Sequence, residues 1–453
     1  MKLFCKFWTL IILSCGFSAQ ADTPKDMALP KNIILMIGDG MGPAHIKAYR
    51  VFKDNPETQG VDPLLIDEYL VGALTTDNSV GVSNGSDESI EQGTYQVTDS
   101  AASATAYSSG IRTYNGAIAV EDDKSKTLTV LELAKKKNMK TGLVATSQIN
   151  HATPAAFIAH VESRKQYNEI ADFFVDSQFN EQPMVDVFLG GGWKYFKRDD
   201  RDLVKELEEK SFQVITDAKE LSGAGDRVAG LFADVGLPSV LDREQKHPSL
   251  SQMTEAAIKR LKNDKGFFLM VEGSQIDWAS HDNDVAGMLH EMDDFNKAIA
   301  SAIKFAEKEG DTLVLITADH ETGGLSVGRR IENDSHYKFN ANPVKNMKKS
   351  LNSYTDEVLT TKSLDVFLTE LQIELLSVEQ KEWKVLKKKL NKDEVFDFLR
   401  RIVNRATYTG WTTNGHTGVD VNLYAIGKGA ELFRGLHPNT FIGTTLKSWL
   451  QNK

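Results

Sequence analysis

Cysteine is scarce in this sequence. The chain has 453 residues and only two cysteines, Cys5 and Cys15, and both fall within its first 21 residues. If that segment is removed, no cysteine remains, which excludes a disulfide framework. The mature fold must then be held by its hydrophobic core, together with any metal that it binds.

Long apolar runs are also lacking. The run Phe7–Cys15 is too short to cross a bilayer, and Ala19-Gln20-Ala21 after it has the A-x-A pattern of a cleavage site. We therefore predict a signal peptide that is removed before Asp22, no membrane span, and a periplasmic or secreted protein. Lipid attachment at Cys15 is the alternative, but Ile12-Leu13-Ser14 before it fits the usual small-residue context poorly.

Positive charge is in deficit. The sequence has 53 Lys and Arg against 63 Asp and Glu, a formal net charge of −10, and loss of the signal peptide's two lysines makes it −12. This balance argues against a nucleic-acid partner. It also means that an anionic substrate needs a locally positive site, which bound cations would supply. The hydrophobic content of 41% is that of an ordinary globular protein.

Apolar segments typical of strands alternate with amphipathic segments typical of helices. This alternation predicts an α/β fold, with a large, mostly parallel central sheet flanked by helices on both faces. The predicted strands are Ile33–Ile37, Thr141–Ala145, Val185–Leu189, Phe267–Val271, Thr312–Thr317 and Leu423–Ile426, and the clearest helical stretches are Leu128–Lys137, Met253–Leu261 and Met288–Glu307.

The segment from about 328 to 407 breaks this alternation. It has little strand signal and many charges, but leucine, valine and phenylalanine recur in it at helical spacing. We interpret it as a folded helical insertion within a single domain that spans residues 22–453.

Three of the predicted strands run directly into acidic residues. Asp39 follows the first strand, Glu272 follows Phe267–Val271, and Asp319-His320 follows Thr312–Thr317. Each acid alone would also be an ordinary turn residue. Because ligands bind beyond the carboxyl ends of parallel strands, however, the three together favour a metal site.

Two further candidate metal ligands are four residues apart. Asp277 and His281 would share one face of a helix, and His416 lies in a small-residue loop after the insertion. Alone, this spacing is weak evidence, and His416 alone would be read as a surface histidine. Imidazole with carboxylate suits zinc, whereas carboxylate with hydroxyl and water suits magnesium.

Small residues dominate the stretch Val97–Ala106. Asp99 is a good N-cap, which places Ser100 in the first turn of a helix, where free amides favour negative charge. Ser100 is therefore a candidate nucleophile, although on spacing alone the pattern slightly favours a plain capped helix packed closely against the sheet. A second helix is predicted from His151, with Pro154 at its first position, running on to Arg164. The Arg164 guanidinium suits two phosphate oxygens, or it is a surface arginine at a helix end.

Taken together, these motifs resemble bacterial alkaline phosphatases. The matching motifs occur in the family's order: Ile37–Gly42, Thr98–Ala102, Ala152–Ala156, Val271–Gly273, Thr317–His320 and Glu321–Gly324.

The resemblance implies a covalent phosphoserine at Ser100, with hydrolysis of phosphate monoesters to inorganic phosphate. It implies that Arg164 holds the phosphate and that Asp99 orients Arg164. The metal sites implied by the resemblance are one zinc at Asp277, His281 and His416, a second zinc at Asp39, Asp319 and His320, and one magnesium at Asp39, Thr153 and Glu272.

Two positions depart from the commonest bacterial pattern. His151 stands where an Asp is common and Trp278 where a Lys is common, so both would change the surroundings of the phosphate and of magnesium. We expect weaker magnesium binding and easier product release. The family also implies a homodimer, in which the insertion shapes substrate access, stabilises the dimer, or does neither.

Other activities on the same scaffold are less well supported. A sulfatase needs a modified Cys or Ser before Pro and Arg, but Ser100 precedes Ala-Ala-Ser. Many phosphodiesterases of this scaffold use Thr and lack the phosphate arginine, whereas this chain has Ser100 and Arg164. A non-catalytic phosphate- or metal-binding export protein would need the ligands but not the nucleophile.

Overall fold

The structure is a computed structural model that describes residues 29–79, 96–330 and 337–451. The predicted signal peptide lies outside the described residues. Among the described helices, none combines the length and the apolar character that a membrane span requires.

The described strands are short or medium in length, and most residues of the longer ones are buried. They are β1 (Asn32–Gly38), β2 (Leu70–Leu74), β3 (Lys140–Gln148), β4 (Gln178–Phe179), β5 (Gln182–Pro183), β6 (Val187–Gly191), β7 (Gln213–Ile215), β8 (Val228–Leu231), β9 (Phe267–Gly273), β10 (Thr312–Ala318), β11 (Glu321–Thr322), β12 (Ser326–Val327), β13 (Thr409–Gly410), β14 (His416–Thr417), β15 (Val421–Gly427) and β16 (Gly435–His437).

Ten of these described strands form the central sheet, in the order β16-β2-β15-β10-β1-β9-β3-β6-β8-β7. The pairs on either side of β1 are parallel, and β15 alone runs against its neighbours. The predicted mostly parallel sheet is therefore confirmed. The predicted C-terminal strand is β15, but it lies inside the sheet, because β2 and β16 pair beyond it.

Helices surround the sheet, as the alternating pattern predicts. Their bounds are α1 (Pro43–Lys53), α2 (Ser100–Ser109), α3 (Val130–Lys136), α4 (Ala152–Ile158), α5 (Tyr167–Asp176), α6 (Trp193–Phe196), α7 (Leu203–Glu209), α8 (Leu250–Leu261), α9 (Gln275–His281), α10 (Val285–Glu309), α11 (Asn342–Lys345), α12 (Leu351–Thr361), α13 (Asp365–Leu371), α14 (Ser377–Leu386), α15 (Lys392–Thr407) and α16 (Thr440–Gln451).

Helices α11 to α15 lie between β12 and β13, in the segment predicted to be a helical insertion. Helix α15 buries Val395, Phe398, Leu399 and Ile402, which recur at helical spacing. The same helix contacts the main domain, because Arg400 Nη1 donates to the carbonyl of Asp282 at 3.0 Å.

Candidate active site and metal centres

The carboxyl ends of β1, β9 and β10 meet at one edge of the sheet. In the ladder, Ile37 pairs with Glu272, and Gly38 pairs with Ala318, which precedes Asp319. Asp39, Glu272 and Asp319 are consequently brought together, and all three side chains are inaccessible to solvent. The three acids therefore lie together at the carboxyl ends of the strands, as the sequence predicts.

Ser100 begins helix α2 beside these acids. Asp99 caps the helix by accepting a hydrogen bond from the amide of Ala102 at 3.0 Å. Ser100 Oγ lies 3.1 Å from His320 Nε2, and the residue is 1% exposed. Every residue of α2 is buried, which explains why all its side chains except that of Tyr107 are small. The close-packed helix and the candidate nucleophile are therefore compatible interpretations of one motif.

Arg164 reaches the same place by a route that differs from the prediction. Helix α4 ends at Ile158, so the prediction that it runs on to Arg164 is wrong. A bridge between Ile118 and Val161 draws the chain into extended conformation there. Pro154 is the third residue of α4, not the first, because the helix begins at Ala152.

The Arg164 guanidinium is held by two side chains. Its Nη1 donates to Asp99 Oδ2 at 2.9 Å, and its Nη2 lies 3.1 Å from His151 Nε2. Burial lowers the pKa of Arg164, but neighbouring groups, the Asp99 carboxylate foremost, raise it by more. The pKa therefore lies above its ordinary value, and the guanidinium is a permanent cation. Because Asp99 is the cap residue that precedes Ser100, the guanidinium is held near the start of α2.

A first candidate metal cluster joins Asp277 and His281 of α9 to His416 of β14. His281 Nε2 lies 3.3 Å from Asp277 Oδ2 and 3.2 Å from His416 Nε2. The Nδ1 atoms of the two rings face backbone carbonyls, of Asn414 and Thr98, which can only accept. Both Nε2 atoms therefore point towards one position beside a carboxylate, which fits a cation. The hydrogen bond to Asp277 raises the pKa of His281 to about 9, so this corner favours positive charge.

A second candidate cluster consists of Asp39, Asp319 and His320, all fully buried. His320 Nε2 lies 3.5 Å from Asp39 Oδ1 and 3.3 Å from Asp319 Oδ2. Both Asp39 oxygens and Asp319 Oδ2 lack a hydrogen-bond donor among the described residues. Burial and neighbouring carboxylates raise the pKa of Asp39 well above its usual range. Unpaired buried carboxylate oxygens of this kind are costly without a cation, so the cluster fits a metal.

A third candidate cluster shares Asp39 with the second and adds His151 and Glu272. Thr153 Oγ1, Glu272 Oε1 and His151 Nδ1 have no hydrogen-bond partner among the described residues. Burial and the Arg164 charge lower the pKa of His151 to about 3, so its ring is neutral. The oxygen-rich donor set fits a hard cation.

Trp278 is half-buried and packs against His151 of the third cluster. Its ring stands at 84° to that of His151, with ring centroids 5.9 Å apart. Trp278 was predicted to lie next to the phosphate arginine. It contacts His151, and His151 in turn contacts Arg164. Trp278 also packs against the backbone of Gly236, which approaches the ring closely.

Thr322 is a site residue to which the sequence reasoning gave no role. Its hydroxyl donates to Asp277 and lies 3.2 Å from His320 Nδ1, so it touches the first and the second cluster. Thr322 also pairs with His416 in the two-residue ladder of β11 and β14. The signals in the sequence were its place directly after Asp319-His320-Glu321 and its membership of the family motif Glu321–Gly324.

Comparisons with known proteins identify the family of this chain. A family model described as alkaline phosphatase matches residues 30–452. Alkaline phosphatase 3 of Bacillus subtilis (strain 168) is 45% identical over 440 residues, which cover 96% of this chain and 92% of the relative.

Solved structures give the same result. The cold-active alkaline phosphatase from the psychrophile Shewanella sp. is similar with a TM-score of 0.83 and 39% identity, over 92% of this chain and 99% of the other. Alkaline phosphatase from the Antarctic bacterium TAB5 is similar with a TM-score of 0.67 and 28% identity, over 94% and 99%. The chain belongs to the alkaline phosphatase family and is a metal-dependent hydrolase of phosphate monoesters.

Proposed function

We propose that this chain hydrolyses phosphate monoesters through a covalent phosphoserine at Ser100, with two zinc ions and one magnesium ion. The observation that carries the proposal is the position of Ser100 Oγ, 3.1 Å from His320 Nε2 and beside the unpaired carboxylate oxygens of Asp39 and Asp319. A buried serine at a helix N-terminus, next to a cation site, is well placed to lose its proton.

The three clusters would hold the three ions. Asp277, His281 and His416 suit one zinc, Asp39, Asp319 and His320 suit the second, and the oxygen atoms of Asp39, Thr153 and Glu272 suit magnesium. When bound, the ions supply Lewis acidity and neutralise negative charge on the phosphoryl oxygens and on the attacking and leaving oxygens. A TAB5 variant in which a histidine is replaced by aspartate has Mg bound in its M3 site, which supports a magnesium site in this chain too.

Arg164 would bind the phosphoryl group. Asp99 fixes Nη1, and His151 lies beside Nη2, so the guanidinium is oriented before substrate arrives. This preorganisation spares the entropy of ordering a long side chain. Trp278 in place of a lysine leaves one cation fewer near the phosphate, which we expect to ease product release.

The chemistry has two displacements at phosphorus. Ser100 Oγ forms a bond to phosphorus while the bond from phosphorus to the ester oxygen breaks, and the serine proton ends on that oxygen as the alcohol departs. Water then attacks the phosphoserine, the bond from Oγ to phosphorus breaks, and Ser100 is regenerated with release of inorganic phosphate. Because these contacts grip the phosphoryl group, we expect broad specificity towards the alcohol.

Two further parts of the proposal come from the sequence and the family resemblance. We propose export to the periplasm or the medium, with cleavage before Asp22, and assembly as a homodimer. N-terminal sequencing of the exported protein and analytical ultracentrifugation test these two points.

The direct test is phosphoserine trapping. Wild type incubated with labelled p-nitrophenyl phosphate and quenched in acid should carry label at Ser100, and a chelator should abolish turnover. Ser100→Ala should lose both label and turnover. Ser108→Ala, a second buried serine of α2 that bonds only within its helix, should retain both.

The same assay distinguishes the phosphomonoesterase from the two alternatives, a phosphodiesterase and a non-catalytic binding protein. Faster hydrolysis of bis(p-nitrophenyl) phosphate than of the monoester would favour a diesterase. A wild type without turnover in the presence of zinc and magnesium would favour a binding protein, and label that persists in Ser100→Ala would exclude Ser100 as the nucleophile.

A further inference from the structure

Asn115 holds the chain on both sides of Thr98. Its Nδ2 donates to the carbonyl of Val97 at 2.9 Å, and its Oδ1 accepts from the amide of Asp99 at 2.9 Å. Asn78 Nδ2 donates to the same Oδ1 at 2.7 Å, so the donors around it fix which way the amide faces. The side chain thus pairs with the backbone as a neighbouring strand would.

The residue that Asn115 holds orients a candidate metal ligand. The carbonyl of Thr98 lies 2.9 Å from His416 Nδ1 and accepts its hydrogen bond. A carbonyl in this position sets the tautomer and the direction of the imidazole. Displacement of Thr98 would therefore turn His416 Nε2 away from Asp277 and His281.

Gly116, the next residue, contacts the two residues of the phosphate-binding part of the site, Asp99 and Arg164. Its amide donates to both carboxylate oxygens of Asp99, at 3.1 and 3.0 Å, and its carbonyl accepts from the backbone amide of Arg164 at 2.7 Å. Its φ of +89° is one that favours glycine. Asn115 and Gly116 together therefore touch the segments that carry the nucleophile, the phosphate arginine and the acceptor for His416.

We propose that Asn115 is a positioning residue of the active site, which acts through Thr98 on His416 and through Asp99 on Ser100 and Arg164. This inference rests on the proposed function, because it assigns to Asn115 the alignment of residues named there. The hydrogen bonds of the Asn115 side chain go to backbone groups and to Asn78, so its proposed effect is on geometry.

The test compares Asn115→Ala with a matched variant elsewhere. Asn263 also bridges backbone groups, by donating to the carbonyls of Leu261 and Gly266 and accepting from the amide of Lys265. It precedes β9 at the opposite edge of the sheet from the site, and both asparagines are half-buried. Asn263→Ala is therefore expected to lose hydrogen bonds of the same kind without disturbing the site.

Two quantities are measured on the metal-loaded enzymes: kcat/KM for p-nitrophenyl phosphate, and the rate of zinc release to a chelator. Loss of an outer partner of a metal ligand typically costs about 10- to 100-fold. We expect Asn115→Ala to lower kcat/KM by about that factor and to release zinc about 10-fold faster. Asn263→Ala should remain within about twofold of wild type in both. Equal effects of the two variants would overturn the proposal.

Asn115→Asp provides a second test if the alanine variant does not fold. It keeps the acceptor for the Asp99 amide and loses the donor to Val97. Because its added negative charge opposes loss of a cation, zinc release faster than in wild type would be due to the lost hydrogen bond. The charge and the lost hydrogen bond have opposite effects on zinc release, so the outcome that would overturn the proposal is an unchanged kcat/KM. Absence of wild-type turnover would instead count against the proposed function, so the two failures are distinguishable.

Discussion

Gly236 lies so close to Trp278 that a Cβ atom added to it would sit 2.5 Å from Cη2 and 2.6 Å from Cζ3 of the indole ring. The ring in turn meets His151 edge to face, and His151 Nε2 lies 3.1 Å from the Arg164 guanidinium. The absence of a side chain at position 236 therefore sets the position of a ring that packs against a neighbour of the phosphate arginine.

We predict that Gly236→Ala displaces Trp278 and disturbs phosphate binding. Overpacking of this kind costs about 1–3 kcal/mol of stability. A misplacement of about 1 Å near a reacting group can lower the rate by about 100-fold, so kcat/KM for p-nitrophenyl phosphate should fall about 10- to 100-fold. Thermal unfolding and steady-state kinetics measure the two effects.

A double variant tests whether the effect passes through the ring. Trp278→Phe removes the two ring atoms that the new Cβ would strike, so Gly236→Ala/Trp278→Phe should recover much of the loss measured in Gly236→Ala. Gly223→Ala is the control, because a Cβ at Gly223 meets no atom within 4 Å. Additive losses in the double variant would show that Gly236 acts elsewhere.

Asp39 belongs to both fully buried clusters, which leads to a prediction about metal removal. Without metal, burial and the charges of Asp277, Asp319 and Glu272 hold its pKa well above the usual range, so its carboxylate opposes folding. Asp39→Asn should therefore stabilise the chelator-treated protein, by about 1–4 kcal/mol. With zinc and magnesium present, the same variant should be less stable than wild type, because bound ions stabilise only the protein that can hold them.

Calorimetry of both proteins, with chelator and with added metals, measures this reversal of sign. Asp284→Asn is a suitable control, since Asp284 is also buried and caps α10 through the amides of Ala286 and Gly287 but lies outside the clusters. Its effect should have the same sign in both conditions. A stability change of Asp39→Asn that does not depend on metal would exclude Asp39 as a ligand.

The helical insertion contacts the turn that follows His281, which predicts that it supports metal binding. Asn404 Nδ2 donates to the carbonyl of Asn283 at 2.9 Å, and its Oδ1 accepts from Trp411 Nε1 at 3.2 Å. Asn404→Leu leaves both partners unpaired, so we expect a loss of about 1–3 kcal/mol. Because the turn adjoins His281, zinc release to a chelator should also be faster.

Arg401→Ala separates this effect from a general weakening of α15. Arg401 is 46% exposed and pairs with Glu382 and Asp397 at the surface, where an ion pair contributes about 0–1 kcal/mol. We expect this variant to release zinc at the wild-type rate. If Asn404→Leu is destabilised and still retains zinc as wild type does, the insertion only packs against the domain.

The sequence could predict the site residues whose positions follow from their place directly after a strand. Asp39 and Asp319 were predictable because each directly follows a buried apolar run, and the sheet then places them side by side. Arg164 was assigned to a helix because local propensity does not reveal the bridge that Val161 makes with Ile118. The contacts of Asn115 depend on the folding of the loop after α2, and no local pattern encodes them.

Glu291 of α10 carries the last prediction, which concerns pH and lies outside the site. Its Oε1 accepts from the amide of Val240 at 2.7 Å, and its Oε2 lies 3.4 Å from Arg243 Nη2. Burial raises the pKa of Glu291 from its ordinary value of 4.5 to about 7, although Arg243 opposes the rise. Between these two pH values the folded protein holds a proton that the unfolded chain has released, so stability falls as pH rises from 4.5 to 7.

Glu291→Gln should remove this loss, because glutamine stays neutral and keeps an acceptor for Val240. Its stability relative to wild type should be nearly unchanged at pH 4.5 and about 3 kcal/mol higher above pH 7, from about 1.4 kcal/mol per pKa unit. Urea unfolding of both proteins at pH 4.5, 6 and 8 measures the difference, with the exposed Glu208→Gln as the control for loss of a surface charge. A difference of the same size at all three pH values would mean that Arg243 keeps Glu291 ionised throughout.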